Sequence, residues 1–265
     1  MAKKSLCGAA RAFIALIAFF TSIPIPRRYL ADVQLFNHLY LLPVVGLIRG
    51  LVTVIPAVLA IALGMSNNYI LVFAVIALHT LIQGLIHVDG FIDFSEAIFS
   101  HRFGVDGYRV VKDRYRGSYA IALFSLYILG LFSSMMAFID RVPLVQLAGV
   151  LIILEVCATY TMLLLSFIGK TPPEGMGKVF KQSVRGYDLL VGLALALLIV
   201  FAVAHLASVT VVLLTAVAAA MAISLCISYS LAQKVLGFVN GDVLGFSSEL
   251  FYLVSILLCW AMSWL

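Results

Sequence analysis

Between His87 and Ser118 the chain carries its densest set of chemically active side chains. The stretch reads His-Val-Asp-Gly-Phe-Ile-Asp-Phe-Ser-Glu from His87 to Glu96 and ends in Lys-Asp-Arg-Tyr-Arg-Gly-Ser from Lys112 to Ser118. It holds five acids (Asp89, Asp93, Glu96, Asp106, Asp113) and five bases (Arg102, Arg109, Lys112, Arg114, Arg116). Asp89, Asp93 and Glu96 are spaced i, i+4, i+7, which on a helix puts them on one face within roughly 60° of each other. Three carboxylates that close repel one another unless a cation neutralises them. Magnesium suits such a set, because it takes one or two carboxylates together with phosphate oxygens and water. His87 points away from that face on a continuous helix and joins it only if the backbone breaks near Gly90. The competing reading of the trio is a group of solvated loop carboxylates at a membrane edge.

Two further groups carry possible chemistry. Gly117-Ser118 precedes an apolar run, so a helix starting there offers free N–H groups and a positive dipole end to an anion. Lys112, Arg114 and Arg116 can add charge-assisted hydrogen bonds to phosphate, with Asp113 among them. A basic flank of a membrane span with a serine cap fits the same residues. Near the C-terminus stands Asn240-Gly241-Asp242-Val243-Leu244-Gly245, with Glu249 seven residues after Asp242. An aspartate between Gly241 and Gly245 beside a span reads either as close backbone approach to a ligand or as a turn with an Asp cap.

The elements that must position these residues are membrane helices. The 265 residues are 64% hydrophobic and only 11% charged, too little polar surface for a soluble domain. The expected fold is all-α: a polytopic membrane bundle, residues 1–265 forming a single domain. Seven spans are expected near 44–64, 69–86, 118–139, 144–168, 189–206, 209–231 and 249–265. The apolar stretch 12–23 is shorter and ends in Pro24-Ile25-Pro26; it reads as a retained re-entrant or interfacial helix, not a cleaved signal.

Charge sets the orientation. With loop 87–117 on the cytoplasmic side, 15 of the 17 Lys and Arg fall on that side, Arg141 alone on the other, and Arg49 within a span. Loops 24–43, 87–117, 169–188 and 232–248 then share the cytoplasmic face. A multi-pass protein of the cell membrane with its chemistry facing the cytoplasm is expected. The net charge of +5 is topological on this reading and implies no nucleic acid. Cys7, Cys157, Cys226 and Cys259 are scattered without metal-ligand spacing. Lys170, Lys178, Lys181 and Arg185 read as a loop near anionic headgroups or a cover for a phosphate. Glu155 lies mid-span and needs a proton, a partner or a polar cavity. Arg49 reads as snorkelling to the interface, and His79 and His205 as isolated packed residues. No Walker loop, dinucleotide fingerprint, zinc-protease helix or nucleophile elbow occurs.

Taken together and in order, these groups resemble one family, the cobalamin synthases or adenosylcobinamide-GDP ribazoletransferases. The family's His-x-Asp-Gly-x-x-Asp-x-x-Asp signature is matched by His87, Asp89, Gly90 and Asp93, with Glu96 at the last position. Its Asp-Ser-Arg-x-Gly-x-x-Gly-like element aligns with Asp113 and Gly117, departing at Arg114-Tyr115-Arg116 and Ala120. Its Gly-Asp-x-x-Gly-Ala element with a downstream Glu is Gly241, Asp242, Gly245, Phe246 and Glu249. Ile23-Pro24-Ile25-Pro26 and Pro43-Val44-Val45-Gly46 are also similar to the family's.

The resemblance implies the joining of adenosylcobinamide-GDP to α-ribazole or its 5′-phosphate, with release of GMP. It implies magnesium on Asp89, Asp93 and Glu96. It implies substrate contacts at Lys112, Asp113, Arg114, Arg116, Gly117, Gly241 and Gly245, and catalytic roles for His87, Asp89, Asp93 and Asp242. His87 is the candidate base, and Asp242 holds a second metal or orients the ribose. Two other classes stay open. A CDP-alcohol phosphotransferase-like lipid enzyme shares membrane-edge carboxylates but lacks its Asp-x-x-Asp-Gly-x-x-Ala-Arg run here. A divalent-cation transporter would place its acids near the midplane.

Overall fold

A computed structural model of the protein describes residues 2–26, 36–64, 67–113, 115 and 117–264, with side chains from residue 8 onward. Among the described residues all regular structure is helical. Helix α1 (Ala2–Phe20) is followed by α2 (Leu42–Thr53), which a single residue, Val54, separates from α3 (Ile55–Leu63). Then come α4 (Asn68–Ile82), α5 (Ile86–His101), α6 (Gly107–Lys112), α7 (Ser118–Ile139) and α8 (Leu144–Ile168). The chain closes with α9 (Met176–Ser183), α10 (Gly186–Leu206), α11 (Val211–Val235) and α12 (Gly241–Met262).

Helix starts follow local chemistry. Asn67, Asp106, Thr210 and Asn240 each accept from a backbone N–H of the first turn of α4, α6, α11 and α12 respectively.

The fold is a polytopic helical membrane bundle. Six helical stretches among the described residues are long and apolar enough to cross: Leu39–Leu63, α7, α8, α10, α11 and α12. The α4–α5 pair makes up to seven, but it is bent by 88°. Helix α8 is the hub and is mostly buried, whereas α10 stands outermost and is mostly exposed. Helix α2 lies along α8 because Gly46 and Gly50 leave no side chain between the backbones. A Cβ at Gly50 would fall 2.8 Å from the Ile152 Cα. The apolar part of α1 among the residues with described side chains, Gly8–Phe20, is shorter than the spanning helices. It is tied to the rest where the Ser22 N–H donates to the Ile82 carbonyl at 2.7 Å.

Two expectations need correction. Residues 86–101 are not loop: they form α5, which packs along α12, so the carboxylates sit on a helix, Asp89 exposed, Glu96 half-buried and Asp93 buried. Helix α12 begins at Gly241, eight residues before the expected 249, so Asp242 and Gly245 lie in its first turns.

The polar connections meet at one end of the bundle. Tyr108 and Phe238 rings are 5.7 Å apart, the Val239 N–H donates to the Lys170 carbonyl at 3.1 Å, and Lys112 Nζ pairs with Glu174 at 3.0 Å. The short loops share the other end, where Asn68 donates to Asp140 and Gln146 to the Ser208 carbonyl.

Candidate active site

The glycines of the two acidic motifs lock α5 onto α12. A Cβ at Gly90 would lie 2.9 Å from the Asp242 Cα, and one at Gly245 would lie 3.0 Å from the His87 Cα. Only glycine at both positions lets these backbones touch. Gly245 is therefore a packing residue; the expected substrate contact there is replaced by the backbone of α5. The contact brings His87, Asp89, Gly241 and Asp242 to the wall of one cavity, which Phe20, Phe36 and Phe180 line from the other side. Asp89 is exposed and Asp242 half-buried, so both carboxylates are reachable. Asp242 is oriented by Asn240, whose Nδ2 donates to its Oδ2 at 2.7 Å, while Asn240 Oδ1 accepts from the Val243 N–H. Helix α9 covers the cavity with Met176, Gly177 and Phe180, the Phe180 ring lying 5.1 Å from that of Phe36.

The other expected site residues are placed differently. Glu96 turns to α7: its Oε2 accepts from the Ala120 N–H at 2.7 Å, and Gly117 packs against its carboxylate. The free helix start expected to bind phosphate at Gly117-Ser118 is thus already occupied by a carboxylate of the chain itself, the charge the dipole favours there. Asp93 lies one turn beyond Asp89 and is buried, away from the cavity wall. Among the described residues no three His, Cys, Asp or Glu side chains converge as a preformed metal cage. Asp113 ends α6 and accepts from the Tyr115 N–H at 3.0 Å. Arg114 and Arg116 lie outside the described residues. Lys112 pairs with Glu174, which also accepts from the Tyr108 hydroxyl at 2.8 Å. The Tyr108 hydrogen bond, then Lys112, holds the Glu174 carboxyl below its usual range, and Glu174 holds the Lys112 ammonium above its own.

Glu96 then yields a direct expectation. Glu96→Ala should cost on the order of 0.5–2 kcal/mol of stability, the usual loss of a helix cap. A magnesium dependence of the rate, of the kind proposed below, should not move. A thermal midpoint and a magnesium titration on the same preparation check both; a shifted titration would return Glu96 to the metal.

Behind the cavity lies a buried polar network that the sequence reading did not assemble. Arg49 pairs with Glu155 at 2.7 Å and donates to the Gln83 Oε1 at 3.1 Å, and its Nη1 faces His87 Nδ1 at 3.5 Å. His79 Nδ1 lies 2.5 Å from Glu155, its Nε2 lies 3.4 Å from Glu249, and its ring stacks on Tyr252 at 3.8 Å. Gln83 Nε2 donates to Glu249 at 2.8 Å, and the Tyr127 hydroxyl donates to the same carboxylate. Arg49 does not snorkel and His79 is not isolated: both are almost wholly buried. The available signal was opposite charge. Arg49 and Glu155 are ionisable groups within apolar spans, and such groups pair with one another.

A sequence model of one family, described as cobalamin-5-phosphate synthase, matches residues 12–260, nearly the whole chain and both acidic motifs. The chain belongs to the cobalamin-5-phosphate synthase family. Similar proteins named adenosylcobinamide-GDP ribazoletransferase include one of Archaeoglobus fulgidus, 26% identical over 93% of this chain and 95% of its own length. Another, of Alkaliphilus oremlandii, is 29% identical over 91% of this chain and 93% of its own. A further Archaeoglobus fulgidus protein of that name is 30% identical over 92% and 94%. No solved structure matches. The α5–α12 contact gives a physical reason for the glycines in the two motifs by which this chain resembles the cobalamin-5-phosphate synthases: Gly90 and Gly245 meet each other, and Asp89 and Asp242 beside them come to the wall of one cavity.

Proposed function

We propose that the chain joins adenosylcobinamide-GDP to α-ribazole or its 5′-phosphate, giving the cobalamin product and GMP. The observation that carries this reading is the meeting of the two acidic motifs, Asp89 with Asp242, at one cavity of a chain belonging to this family. The 3′-hydroxyl oxygen of the ribose attacks the phosphorus bonded to cobinamide. A phosphodiester forms, the bond to the GMP phosphate oxygen breaks, and the hydroxyl proton passes to the phosphate of the departing GMP. Such transfer depends on positioning and charge neutralisation, not on covalent catalysis.

The residues present fit magnesium. Asp89 and Asp242 supply two hard oxygen donors from facing helices, and a diphosphate supplies the rest, which is why no three-residue cage is needed. Asp93, buried one turn behind Asp89, adds negative charge behind the pair without reaching the cavity wall. Bound there, the metal would neutralise charge on the diphosphate oxygens. Lys112, Arg114 and Arg116 neutralise the departing GMP, with Lys112 exchanging Glu174 for phosphate. Gly241 carries no neighbour within 4 Å of its Cβ position and leaves room beside Asp242.

His87 serves better as a donor than as a base. Arginine has donors only, so the nitrogen facing Arg49 is the acceptor and the ring proton sits on Nε2, available to a phosphoryl oxygen. The cavity of about 170 Å³ is well below the size that encloses a drug-like ligand. Its lining is mostly apolar, so the diphosphate would sit against His87, Asp89 and Asp242, the titratable side chains of its wall, while the corrin stays outside.

The test is release of GMP by the purified protein given adenosylcobinamide-GDP, α-ribazole phosphate and magnesium. GMP formed only when all three are present supports the reading; none formed defeats it.

The site is assigned to the cytoplasmic face on the basic asymmetry of the loops around it. Cysteines introduced at positions 104 and 172 should both label from the cytoplasmic side and one at position 141 from the other. Labelling of 104 and 172 from opposite sides would contradict this.

A further inference from the structure

Gln83 occupies the turn that redirects the chain from α4 into α5. Its side chain is fully buried. Its amide oxygen accepts from Arg49 of α2 at 3.1 Å, and its Nε2 donates to Glu249 of α12 at 2.8 Å. The next two residues, Gly84 and Leu85, both adopt left-handed backbone, with φ of 65° and 62°. For leucine that conformation is unfavourable and persists only where the surroundings over-determine it. Asp89 follows in the first turn of α5. Asp242 precedes Glu249 by seven residues, about two turns of α12.

One amide therefore ties the root of the helix bearing His87 and Asp89 to the helix bearing Asp242. The Gly90–Gly245 contact sets how closely the two helices approach. The amide bridge sets where α5 begins and the angle at which it leaves the turn. We propose that Gln83 is a positioning residue for the transferase reaction, holding Asp89 opposite Asp242 through the Arg49–Gln83–Glu249 bridge. This rests on the function proposed above.

The side-chain chemistry is restrictive. Arg49 needs an acceptor and Glu249 needs a donor, and the amide carries both. An apolar residue carries neither, and a carboxylate lacks the donor. A protonated carboxylic acid has both, its O–H for Glu249 and its carbonyl for Arg49. The charged and titratable groups around this position are Arg49 from α2, His79 from α4, His87 from α5, Tyr127 from α7, Glu155 from α8, and Glu249 and Tyr252 from α12. His79 Nε2 comes within 3.4 Å of the Gln83 Nε2.

The experiment uses the full chain in detergent with Gln83→Met and Gln83→Glu. It measures kcat, the KM for adenosylcobinamide-GDP, Mn2+ affinity by electron paramagnetic resonance, and the thermal midpoint. Gln83→Met is expected to fold, with kcat lower by on the order of 10- to 100-fold, the cost of misplacing reacting groups by an ångström or less. Its KM should stay close to that of the wild type, and its Mn2+ affinity should fall. Gln83→Glu should be equally impaired at alkaline pH. Its rate relative to wild type should recover by about tenfold toward acid pH as the introduced carboxyl takes a proton, while the Gln83→Met ratio stays flat.

Wild-type kcat in both variants, a flat ratio for Gln83→Glu, or loss of folded protein in both at every pH would each overturn the proposal. A wild-type protein without transferase activity would defeat the functional reading instead. The Mn2+ affinities of the two variants would then still decide whether the bridge positions the acids.

Discussion

Asp89→Asn and Asp242→Asn are each expected to lower the transferase rate by at least about 100-fold. Changes in residues that merely support a metal ligand cost about 10- to 100-fold, and removal of a ligand itself should exceed that. Each substitution preserves size and takes away only charge at a wall reachable from solvent, so the folded protein should persist with an unchanged thermal midpoint. The double variant should be scarcely slower than either single one, because groups that act as a unit are not additive. Rates of GMP release on the three variants check this. Near wild-type turnover in either single variant would remove that residue from the site.

The second large effect concerns stability. Arg49 and Glu155 are both fully buried and 2.7 Å apart. Arg49→Leu leaves Glu155 facing His79 without its guanidinium partner, and breaking such a pair from one side costs on the order of 3–5 kcal/mol. Replacing both, as Arg49→Leu with Glu155→Leu, removes the stranded charge and should recover much of that loss. Thermal midpoints of the single and double variants test the expectation. A double variant no more stable than Arg49→Leu alone would show that packing in α2 and α8, not charge pairing, sets the cost.

Much of this architecture was legible because hydropathy and length determine spans. The expected segments 118–139 and 144–168 coincide with Ser118–Ile139 and Leu144–Ile168. The misreadings have a common cause. Asp89, Asp93 and Glu96 in α5, and Asp242, Ser247, Ser248 and Glu249 in α12, lower local hydropathy, so both stretches read as loop. They are helical because Asp93, Ser247, Ser248 and Glu249 are buried where the two helices pack on each other and on their neighbours, while Asp89 and Asp242 stand at the edge of that contact.

Motif spacing singled out Asp89, Asp242 and the neighbouring glycines, which the structure brings to one helix contact, but not the partners around them. The same-face argument for Asp89, Asp93 and Glu96 was sound for an isolated helix. It failed for Glu96 because α7 starts beside it and supplies the Ala120 N–H. The network of Arg49, His79, Gln83, Glu155 and Glu249 joins residues up to 170 positions apart. No local period encodes such contacts; they depend on the 88° turn after Ile82 and on the glycine contacts that set helix approach. Glu155, mid-span, has the partner it needed in Arg49 and His79.

The most direct test of the site is the position of Mn2+ anomalous scattering in crystals of the full chain grown with the metal and adenosylcobinamide-GDP. The account predicts a peak within about 2.5 Å of carboxylate oxygens of both Asp89 and Asp242, the reach of a hard-cation contact, at the cavity beneath α9. A peak beside Glu96 at the start of α7, with none between Asp89 and Asp242, would contradict it.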